Sequence, residues 1–455
     1  MRGALHILAT LRAAGFQAYV VGGSVRDREL GLEPQDHDIA TDATPDRVLA
    51  LFPKVIPTGV KHGTVTVIVE GVPYEVTTFR RDVECHGRHA TVEHTTSLQE
   101  DLSRRDFTVN AMACDPETGQ VIDPFGGRED LTRRVIRCVG DPPARFEEDH
   151  LRVLRAIRFA AQLDFEIEPA TWAALLEKAP LLERISQERI AHELWGVLAG
   201  RAVWHGVRLL DQAGILARLL PELAATRGVT QPPRYHHLDV FEHTMLALQH
   251  AQDSTPDPVT RLAVLLHDIG KPATRSTDHE AIHFHGHEEV GARLVPDLVA
   301  RLRLAASSRI HLDTKELTDR LQKLIRLHLR PSQLHGAKGG ALRRFVREAG
   351  LLLDELLLVV LCDRLAHREP DIEALDRLKR DIAALGPASH IHQLRSPLSG
   401  HEIMRLLGLQ PGKALGEAKD ALVDAIVSGE VPDDREAAER WLLARFGRVV
   451  TPGVP

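Results

Sequence analysis

The chain has 455 residues and a formal net charge of −7 at pH 7, and 43% of its residues are hydrophobic while only 4% are aromatic. Single hydrophobic cores rarely exceed about 250 to 300 residues, so we expect several domains. The negative net charge does not favour nucleic-acid binding over the whole surface, although a local basic surface would suffice for it. The four cysteines, Cys85, Cys114, Cys138 and Cys362, lack regular spacing, which argues against a disulfide framework and a cysteine-based zinc site and indicates a reducing compartment.

Strand-forming sequence is concentrated before about residue 125, and helix-forming residues dominate the rest of the chain. We therefore predict an α+β fold, in which a small α/β head precedes a mostly α-helical body. Residues 1–16 predict an amphipathic helix without a signal-peptide cleavage site. The longest apolar run, Leu356 to Cys362, is far shorter than the roughly 18 residues of a membrane-spanning helix. We expect a soluble, cytoplasmic protein with no membrane contact.

A short predicted strand, Tyr19–Val21, is followed by Gly22, Gly23 and a helix start that carries Arg26. Glycines allow backbone N–H groups to approach an anion closely, and a guanidinium can donate two hydrogen bonds to phosphate oxygens. The pattern indicates a phosphate site, although a glycine pair after a strand more often marks a turn.

Two carboxylates follow, Asp36 and Asp38, on a segment that we expect to be extended. Alternate residues of a strand point to the same side, so both carboxylates would face one point and bind Mg²⁺ there. A solvated or capping pair is the plainer alternative. Glu75, on the predicted strand Tyr74–Phe79, is placed to supply a third carboxylate, or it lies on an edge strand in solvent. A phosphate site beside a Mg²⁺ site indicates phosphoryl or nucleotidyl transfer.

Two further stretches of the head carry polar clusters. Residues 80–96 gather Gly, His and Arg, which predicts either a mobile loop over an active site or an ordinary hairpin. In residues 101–113, DLSRRDFTVNAMA, we expect Ser103 to begin a helix that carries Arg105 and Asp106. A solvent-exposed charge cluster is the default explanation for such a string.

Residues 145–163, RFEEDHLRVLRAIRFAAQL, have apolar side chains at helical spacing. Asp149 and Arg152 are three residues apart, so we expect them as neighbours on one helix surface, with Arg155 also on the charged side. A carboxylate accepts and a guanidinium donates hydrogen bonds, so together they complement the Watson–Crick edge of cytosine or adenine. An ordinary intrahelical ion pair is the alternative.

The strings GGSVRD, DHD, RRDFTVNA, EDHLR and SQERI occur in this order, and they resemble the motifs of the bacterial class II tRNA nucleotidyltransferase and poly(A) polymerase family. The resemblance implies addition of CCA to tRNA 3′ ends from CTP and ATP by two-metal transfer with Mg²⁺. Its alternatives are an enzyme that adds only A and a bacterial poly(A) polymerase. The resemblance assigns Mg²⁺ to Asp36 and Asp38, the triphosphate to Gly22, Gly23 and Arg26, the ribose to Arg105 and Asp106, the base to Asp149 and Arg152, and further nucleotide contacts to Arg155 and Arg189.

Histidines accumulate between about residues 229 and 370, in the strings DVFEHT, LLHDIGKP, FHGHEEVGA and LCDRLAH, which resemble the HD phosphohydrolase superfamily. Imidazole with carboxylate suits Mn²⁺, Ni²⁺, Fe²⁺ or hydrated Mg²⁺. The resemblance implies hydrolysis of a phosphate ester such as a 2′,3′-cyclic phosphate or a 2′-nucleotide, with Lys271 near the phosphate. The alternatives are an HD fold that only binds tRNA, or an HD hydrolase with an RNA-binding head. The implied metal ligands are His243, His267, Asp268 and Asp363, with His287 and His328 available for a second metal.

We divide the chain into a nucleotidyltransferase head, 1–139, a helical neck that recognises the base, 140–228, an HD domain, 229–370, and a helical tail, 371–455, that we expect to contact tRNA. Residues 300–347 hold twelve Lys or Arg against three acids, which makes them a candidate surface for an RNA backbone. A solvated helical face explains this excess equally well. The sequence leaves the oligomeric state open.

Overall fold

The computed structural model describes residues 1–447 apart from 35, 58, 61, 62, 87, 88, 235, 279, 280, 335, 338, 387–390, 392 and 393, and for the others in 82–92 it describes the backbone alone. The chain forms two compact units. The first comprises residues 1–221 and 299–313, and the second comprises residues 222–298 and 314–455. Our finer division at residues 139, 228 and 370 stays a prediction.

A seven-stranded mixed sheet forms the centre of the head. The strands of the first unit are β1 (Ala18–Val21), β2 (Asp38–Thr41), β3 (Val55–Ile56), β4 (Thr64–Val69), β5 (Val72–Thr78), β6 (Arg80–His86), β7 (His89–His94), β8 (Ala113–Cys114), β9 (Val121–Ile122), β10 (Val135–Ile136) and β11 (Glu166–Ile167). The order in the sheet is β3-β4-β5-β2-β1-β8-β9, and β2 and β5 are its parallel pair. Strands β6 and β7 form one two-stranded sheet, and β10 and β11 form another.

The register of the sheet brings three functional segments together. Val21, at the end of β1, lies opposite Asp38, at the start of β2. Ile39 of β2 lies opposite Val76 of β5, so Asp38 and Glu75, one residue earlier on each strand, are neighbours. Strand β5 lies between β4 and β2, so the alternative that placed Glu75 on an edge strand is wrong.

Two hairpins follow each other along the chain. The turn between β4 and β5 consists of Glu70 and Gly71, with φ of 52° and 84°, and positive φ at both positions is typical of a tight two-residue hairpin. Strands β6 and β7 pair antiparallel, with Arg80 opposite His94. The backbone of this second segment therefore forms a hairpin, the plainer of the two predicted alternatives, and a role over the active site stays a prediction.

Among its described residues, the first unit also contains eleven helices and three short 3₁₀ segments. The predicted amphipathic helix at the N-terminus is present, and its Ile7, Leu8 and Leu11 are buried. Trp195 is fully buried and donates a hydrogen bond to the Leu304 carbonyl, at 2.9 Å. The helices are α1 (Arg2–Ala13), α2 (Gly23–Glu29), α3 (Pro45–Leu51), α4 (Leu98–Ser103), α5 (Gly127–Arg133), α6 (Pro142–Glu148), α7 (Arg152–Leu163), α8 (Pro169–Lys178), α9 (Gln187–Leu198), α10 (Val203–Gln212) and α11 (Ile215–Leu219), and the 3₁₀ segments are Thr108–Asn110, Ala179–Arg184 and Leu304–Ala306.

Helix α4 ends at Ser103 instead of beginning there, so our prediction of a helix start at this serine is wrong. Ser97 caps the N-terminus by accepting a hydrogen bond from the Glu100 N–H. Ser103 donates to the Glu100 carbonyl at 2.7 Å. A serine hydroxyl serves either end of a helix, so its presence alone does not fix the direction of the helix. Arg105 and Asp106 lie in the turn after α4.

The predicted helix over residues 145–163 is broken at Asp149, so Asp149 and Arg152 do not lie on one helix surface as we expected. Helix α6 ends at Glu148, Asp149 is extended with φ of −147° and ψ of 105°, and α7 begins at Arg152. In a continuous helix the Phe146 carbonyl would accept the backbone N–H of His150. Here the His150 ring nitrogen Nδ1 lies 2.9 Å from that carbonyl, and the buried ring takes the place of the backbone bond.

The chain from residue 221 onwards is mostly helical, which confirms the α+β class. Helix α13 (Val240–Ser254) packs against α14 (Pro258–Leu266) and α20 (Leu353–Leu365). Within the part of the chain that the structure describes, no helix is both long and apolar enough to cross a membrane. The elements are α12 (Pro221–Ala224), α13 (Val240–Ser254), α14 (Pro258–Leu266), α15 (Lys271–Thr274), β12 (Arg275–Asp278), β13 (Ala281–Phe284), α16 (His287–Arg301), α17 (Thr314–Leu327), α18 (Arg330–Gln333), α19 (Gly339–Ala349), α20 (Leu353–Leu365), α21 (Ile372–Ala383), α22 (Gly400–Leu407), α23 (Lys413–Ser428) and α24 (Arg435–Phe446).

The tail is helical, as predicted, and has an apolar cluster of its own. Ile403 of α22, Leu422 of α23 and Leu442 of α24 pack together in this cluster. Ser399 and Glu402 form a capping box at the start of α22, which satisfies two backbone N–H groups. The predicted contact of the tail with tRNA stays a prediction.

The basic residues between 300 and 347 are partly neutralised by acids from other segments. Arg320 lies 2.5 Å from Asp257 and 2.7 Å from Glu355, and Arg326 lies 3.1 Å from Glu289. The stretch is also divided at residue 313 between the two units. The local excess of positive charge in the sequence is therefore smaller in the folded chain, and an RNA-binding surface here stays a prediction.

Candidate nucleotide site and candidate metal centre

A cavity of about 570 Å³ in the first unit gathers most of the residues predicted to bind a nucleotide. Arginines outnumber acidic residues in its lining, which suits an anionic ligand. Of the predicted residues, the cavity brings together Gly22, Gly23, Arg26, Asp38, Arg105, Asp106, Asp149, Arg152, Arg155 and Arg189.

Gly22 allows the guanidinium of Arg105 to approach the backbone closely. Its φ of 74° and ψ of −134° lie in a region that favours glycine. A Cβ atom at this position would lie 2.7 Å from Arg105 Nη1, which is closer than such atoms pack. Arg105 also lies 3.6 Å from Asp101 and donates to the Asn110 carbonyl at 3.4 Å. The backbone conformation therefore favours glycine at position 22, and the missing Cβ leaves room for the Arg105 guanidinium.

Asp38 and Glu75 line this cavity together, whereas Asp36 lines a separate cavity of about 670 Å³. The strand begins at Asp38 and Asp36 lies before it, so the convergence of both carboxylates on one metal stays a prediction. Burial and the charge of Glu75 raise the pKa of Asp38, and the charge of Asp36 raises it by a smaller amount. The positive charge of Arg105 lowers the pKa of Asp38 but does not outweigh them. The carboxylates repel one another, and a divalent cation relieves such repulsion, so the residues present fit one.

Asp106 is the centre of a hydrogen-bond network that holds two arginines of the cavity. Its Oδ2 accepts from Arg155 Nε at 2.8 Å and Nη2 at 2.6 Å, and its Oδ1 accepts from the Phe107 N–H and Asn110 Nδ2. Asn110 Oδ1 accepts from Arg26 Nη1 at 2.8 Å. Burial would raise the pKa of Asp106, but the charge and hydrogen bonds of Arg155, with the other donors, lower it to about 2. The solvent-exposed cluster that we gave as the default for this string is therefore wrong for Asp106, which is 7% exposed.

Asp149 and Arg152 each bind a different partner, so the intrahelical ion pair between them is not formed. Asp149 Oδ2 accepts from Arg189 Nη2 at 2.8 Å, and Arg152 Nη1 donates to Glu148 Oε2 at 2.6 Å. Arg152 also donates to two backbone carbonyls. Three of its five N–H donors are thus used by the described residues, which leaves two for a ligand. Both side chains line the cavity, where Asp149 offers its remaining lone pairs.

A cluster of buried histidines and carboxylates lies in the second unit. Asp268 is central: its Oδ2 lies 3.2 Å from His267 Nε2, and its Oδ1 lies 3.3 Å from His287 Nε2 and 3.9 Å from His328 Nε2. The ligand atoms fall into groups within 4.8 Å of one another, and Asp268 belongs to two of these. The structure brings together all the residues for which the sequence predicted metal binding in this half of the chain: His243, His267, Asp268, His287, His328 and Asp363.

The histidines of this cluster are oriented by backbone carbonyls. In His267, His287 and His328, Nδ1 lies 2.7 Å from the carbonyl three residues earlier. A ring that donates its Nδ1–H in this way turns the lone pair of Nε2 inward. Among the described residues, Nε2 of His267 and Nε2 of His287 are buried without a hydrogen-bond partner, and carboxylate oxygens of Asp268 lie 3.2 and 3.3 Å from them. Converging buried acceptors of this kind fit a divalent metal ion.

Negative charge dominates the centre of the cluster. Burial would lower the pKa of His267, but Asp268 and Asp363 outweigh it and raise that pKa to about 10. Lys271 Nζ lies 2.6 Å from Asp268 and 2.7 Å from Gln231 Oε1, and its proximity to a substrate phosphate stays a prediction. The carboxylates thus attract positive charge at this point, and a divalent cation supplies it.

Three polar residues of these sites were missed by our sequence analysis. His236 and His367 have ring centroids 4.7 Å apart, and with His243 they form a further group of potential ligands. The spacing of four residues between Asp363 and His367 was a usable signal, whereas His236 carried none. Asn110 lies inside a motif that we did identify, but nothing in the sequence showed that it connects two charged partners.

Three family models match the chain. Residues 18–137 match the Poly A polymerase head domain, residues 164–226 match the probable RNA and SrmB-binding site of polymerase A, and residues 240–368 match the HD domain. The first match contains the mixed sheet, and the third contains the histidine cluster.

Several characterised proteins are similar to this chain. A CCA-adding enzyme of Geobacillus stearothermophilus is 34% identical over 447 residues, which cover 97% of this chain and 96% of that enzyme. An A-adding tRNA nucleotidyltransferase of Deinococcus radiodurans is 36% identical over 450 residues, which cover 93% and 95%. A CCA-adding enzyme of Geobacillus thermodenitrificans is 51% identical over 223 residues, and there the chain spans only 55% of its relative. The crystal structure of Bacillus stearothermophilus CCA-adding enzyme in complex with CTP has a TM-score of 0.67 at 32% identity and covers 97% and 96% of the two chains.

The pairing of Asp106 predicts a pH-dependent contribution to stability. Its folded pKa of about 2 lies below the ordinary 3.8, so the stabilisation is complete above about pH 4 and is lost as pH falls towards 2. Asp106→Asn should lower the free energy of unfolding at pH 7 by about 2 kcal/mol, with a smaller difference at pH 3. Urea unfolding followed by tryptophan fluorescence measures this, with Asp46→Asn as an exposed control. An unchanged unfolding midpoint at pH 7 would contradict the role of the ion pair.

Proposed function

Because this chain belongs to the family of CCA-adding and A-adding tRNA nucleotidyltransferases, we propose that it adds the 3′-terminal CCA to tRNA from CTP and ATP without a nucleic-acid template. The observation that carries this proposal is a single cavity lined by the carboxylates Asp38 and Glu75, by several arginines, and by Asp149 with Arg152. These are the chemical groups needed for a metal, a triphosphate and a base. In the reaction, the tRNA 3′ hydroxyl forms a bond to the α-phosphorus of the incoming nucleotide, and pyrophosphate leaves.

The metal and phosphate roles follow the geometry of the sheet. Poly A polymerase heads and HD domains are metal-dependent, and we assign Mg²⁺ in the head to Asp36 and Asp38, with Glu75 as a third carboxylate. We retain Asp36 because its charge raises the pKa of Asp38, although it lines another cavity. Bound divalent ions activate the attacking hydroxyl and neutralise the pyrophosphate. We assign the triphosphate to Gly22, Gly23 and Arg26.

Base selection is assigned to Asp149 and Arg152. Arg189 holds the carboxylate, and Glu148 holds the guanidinium. Cytosine and adenine both present an amino donor beside a ring-nitrogen acceptor, which the acceptor on Asp149 and the donors on Arg152 complement. Uracil and guanine present the opposite order, so a fixed pair rejects them.

The ribose is assigned to the turn after α4. We propose that Arg105 and Asp106 recognise the ribose hydroxyl, with Asp106 also positioning Arg155. This assignment rests on their place in the cavity lining and on the two bonds from Arg155 to Asp106. Arg155 and Arg189 complete the nucleotide contacts.

An enzyme that adds only A is the second candidate, because the Deinococcus radiodurans relative bears that name at 36% identity. A bacterial poly(A) polymerase is a further alternative within the same family. Sequencing the products made from tRNA that ends at the discriminator base, with CTP and ATP supplied separately and together, decides among the three. We propose that the enzyme works in the cytoplasm, where bacterial tRNA is found.

The histidine cluster supports a second activity in the HD domain. We propose that His243, His267, Asp268 and Asp363 hold one divalent ion and that Asp268, His287 and His328 hold another, either Mg²⁺ or a transition metal. A bound ion makes water a nucleophile near neutral pH. For a 2′,3′-cyclic phosphate, water forms a bond to phosphorus, one ester P–O bond breaks, and the leaving oxygen takes a proton. The alternative is an HD fold that only binds tRNA.

Removing the head carboxylates should abolish nucleotide addition. Asp38→Ala and Asp36→Ala are each expected to lower incorporation by roughly 100-fold or more, while tRNA binding and folding are nearly unchanged, because the carboxylates ligate metal instead of supporting the core. Asp46→Ala, an exposed aspartate that lies outside this cavity, is the matched control. Incorporation of labelled CMP measures the effect. Near-normal incorporation by Asp38→Ala with Mg²⁺ would refute the metal site.

Base choice should depend on the Asp149 and Arg152 side chains. Asp149→Ala or Arg152→Ala is expected to relax selectivity against UTP and GTP, with a loss on the order of 2 to 4 kcal/mol of discrimination. Triphosphate affinity should change less, because the lost hydrogen bonds contact the base. Competition between nucleotides in single-addition assays measures this, with Glu147→Ala as the control. Unchanged selectivity in both variants would leave the two residues a purely structural role.

The HD centre should be separable from nucleotide addition. His267→Ala with Asp268→Ala is expected to remove hydrolysis of 2′,3′-cyclic AMP and to leave CCA addition intact, because the two sets of residues lie in different units. Assays with Ni²⁺, Mn²⁺ and Mg²⁺ provide the measurement. No turnover by the wild-type protein with any of these ions would refute the hydrolase proposal.

A further inference from the structure

Two threonine hydroxyls line the nucleotide cavity beside Glu75, and we call them the threonine pair. Thr64 of β4 lies opposite Thr77 of β5, and their Oγ1 atoms lie 3.0 Å apart. Both side chains are half-buried and contribute to the lining of the cavity of about 570 Å³. None of the roles assigned above involves either hydroxyl.

The threonine pair lies on the same face of the sheet as the candidate metal carboxylates. Thr77 follows Glu75 by two residues on β5, so their side chains point to the same side of the strand. Val76, which lies between them, is buried on the opposite face. Glu75 in turn is the neighbour of Asp38 on β2. Across the sheet from Asp38, the cavity therefore presents Glu75 and then the threonine pair.

In-line geometry determines the side from which the attacking hydroxyl approaches. Residues 22–26, to which we assign the triphosphate, follow β1, and in the sheet β1 lies on one side of β2 while β5 lies on the other. In phosphoryl transfer, the attacking and leaving oxygens lie on opposite sides of the phosphorus. With the α-phosphate at Asp38, pyrophosphate leaves on the β1 side. The tRNA 3′ hydroxyl then approaches from the β5 side, where the threonine pair lies.

The threonine pair offers the hydrogen-bonding groups that a ribose hydroxyl requires. Two hydroxyls that bond to one another retain one O–H as a donor, and their oxygens retain lone pairs as acceptors. A ribose hydroxyl is also both a donor and an acceptor, so it can bond to the pair in both ways. A cross-strand threonine pair can stabilise a sheet without any ligand. The position of this pair in the cavity lining, next to Glu75, favours a contact with the substrate.

We propose that the threonine pair binds the 2′-hydroxyl of the 3′-terminal ribose of tRNA and so directs the adjacent 3′-hydroxyl at the α-phosphorus. This deepens the proposed nucleotidyltransferase function and rests on it. The carboxylates beside the pair act on the reacting 3′ oxygen, whereas Thr64 and Thr77 contact the hydroxyl next to it. The pair also favours an RNA end over a DNA end, because a 2′-deoxy terminus lacks the hydroxyl that the pair binds.

Thr64→Val and Thr77→Val in the full-length protein each remove one hydroxyl with little change of side-chain shape, and tRNA with a 2′-deoxy terminal ribose removes the partner hydroxyl. The rate of single-turnover addition of labelled CMP to tRNA that ends at the discriminator base is measured. With the wild type, the deoxy terminus should slow addition about fivefold, as expected for one lost hydrogen bond. Each valine variant should slow addition to normal tRNA by a similar factor. It should slow addition to deoxy-terminated tRNA by less than about twofold, because both changes remove the same bond.

Three controls separate this contact from a structural effect. Thr64→Ser and Thr77→Ser keep the hydroxyls and should restore the preference for a ribose terminus. Thr277→Val, at an exposed strand threonine of the second unit, is the matched control and should behave as the wild type. Affinity for CTP, measured by calorimetry, should be the same in all variants, because the threonine pair contacts tRNA and not the incoming nucleotide.

The outcomes distinguish this inference from the proposed function. Valine variants that slow addition to both tRNAs equally would overturn the inference and leave the pair a role in the sheet alone. Equal wild-type rates with the two tRNAs would also overturn it, while nucleotide addition stands. If product sequencing shows an enzyme that adds only A, the same comparison uses labelled AMP and tRNA that ends in CC. Wild-type protein that adds neither CMP nor AMP would overturn both.

Discussion

The ion pair between Asp106 and Arg155 connects the turn after α4 to helix α7, and the rest of the nucleotide cavity depends on it. Asp106 also holds Asn110, and Asn110 holds Arg26, so one buried carboxylate orients two arginines of the cavity, Arg26 and Arg155. Losing this carboxylate would leave Arg155 without its ion pair in a mostly enclosed site. The charge and hydrogen bonds of Arg155, with the other donors, lower the pKa of Asp106 to about 2, so the same side chain contributes to stability and to the arrangement of the cavity.

Neighbouring charges also dominate in the histidine cluster. There carboxylates raise the pKa of an imidazole, whereas at Asp106 an arginine lowers the pKa of a carboxylate. The carboxylates of Asp268 and Asp363 lie among several imidazoles, and they raise the pKa of His267 to about 10 although burial alone would lower it. Lys271 lies against Asp268 and neutralises part of this charge. Because three rings are fixed by backbone carbonyls, their Nε2 atoms cannot turn away from the carboxylates without losing a hydrogen bond. The cluster is therefore preorganised for a cation.

Sequence reasoning predicted the structure correctly where the residue pattern favours a single local conformation. The strand before Gly22 and the amphipathic first helix lie as predicted, because periodicity determines them. The residues that the resemblance to HD phosphohydrolases assigned to a metal also lie close together, and their role as ligands stays a prediction. Sequence reasoning failed where a side-chain group hydrogen-bonds to a backbone carbonyl in place of a backbone N–H. The His150 ring replaces a backbone donor and separates Asp149 from Arg152, and Ser103 bonds backwards instead of starting a helix. The partner of Asp149 is Arg189, 40 residues later in the chain, and no local pattern encodes such a contact.

Glu75 shows how a parallel pair of strands changes the candidate metal site. Its position beside Asp38 follows from the register of β2 and β5, whereas Asp36 lies before the strand and lines another cavity. In sequence Asp36 is two residues from Asp38 and Glu75 is remote, yet in the fold Glu75 lies beside Asp38 on the neighbouring strand. Each neighbouring carboxylate raises the pKa of Asp38, and Glu75 does so more strongly than Asp36. A cation at Asp38 would therefore gain more from Glu75 than from Asp36 in this arrangement, so the third carboxylate belongs among the first residues to be substituted.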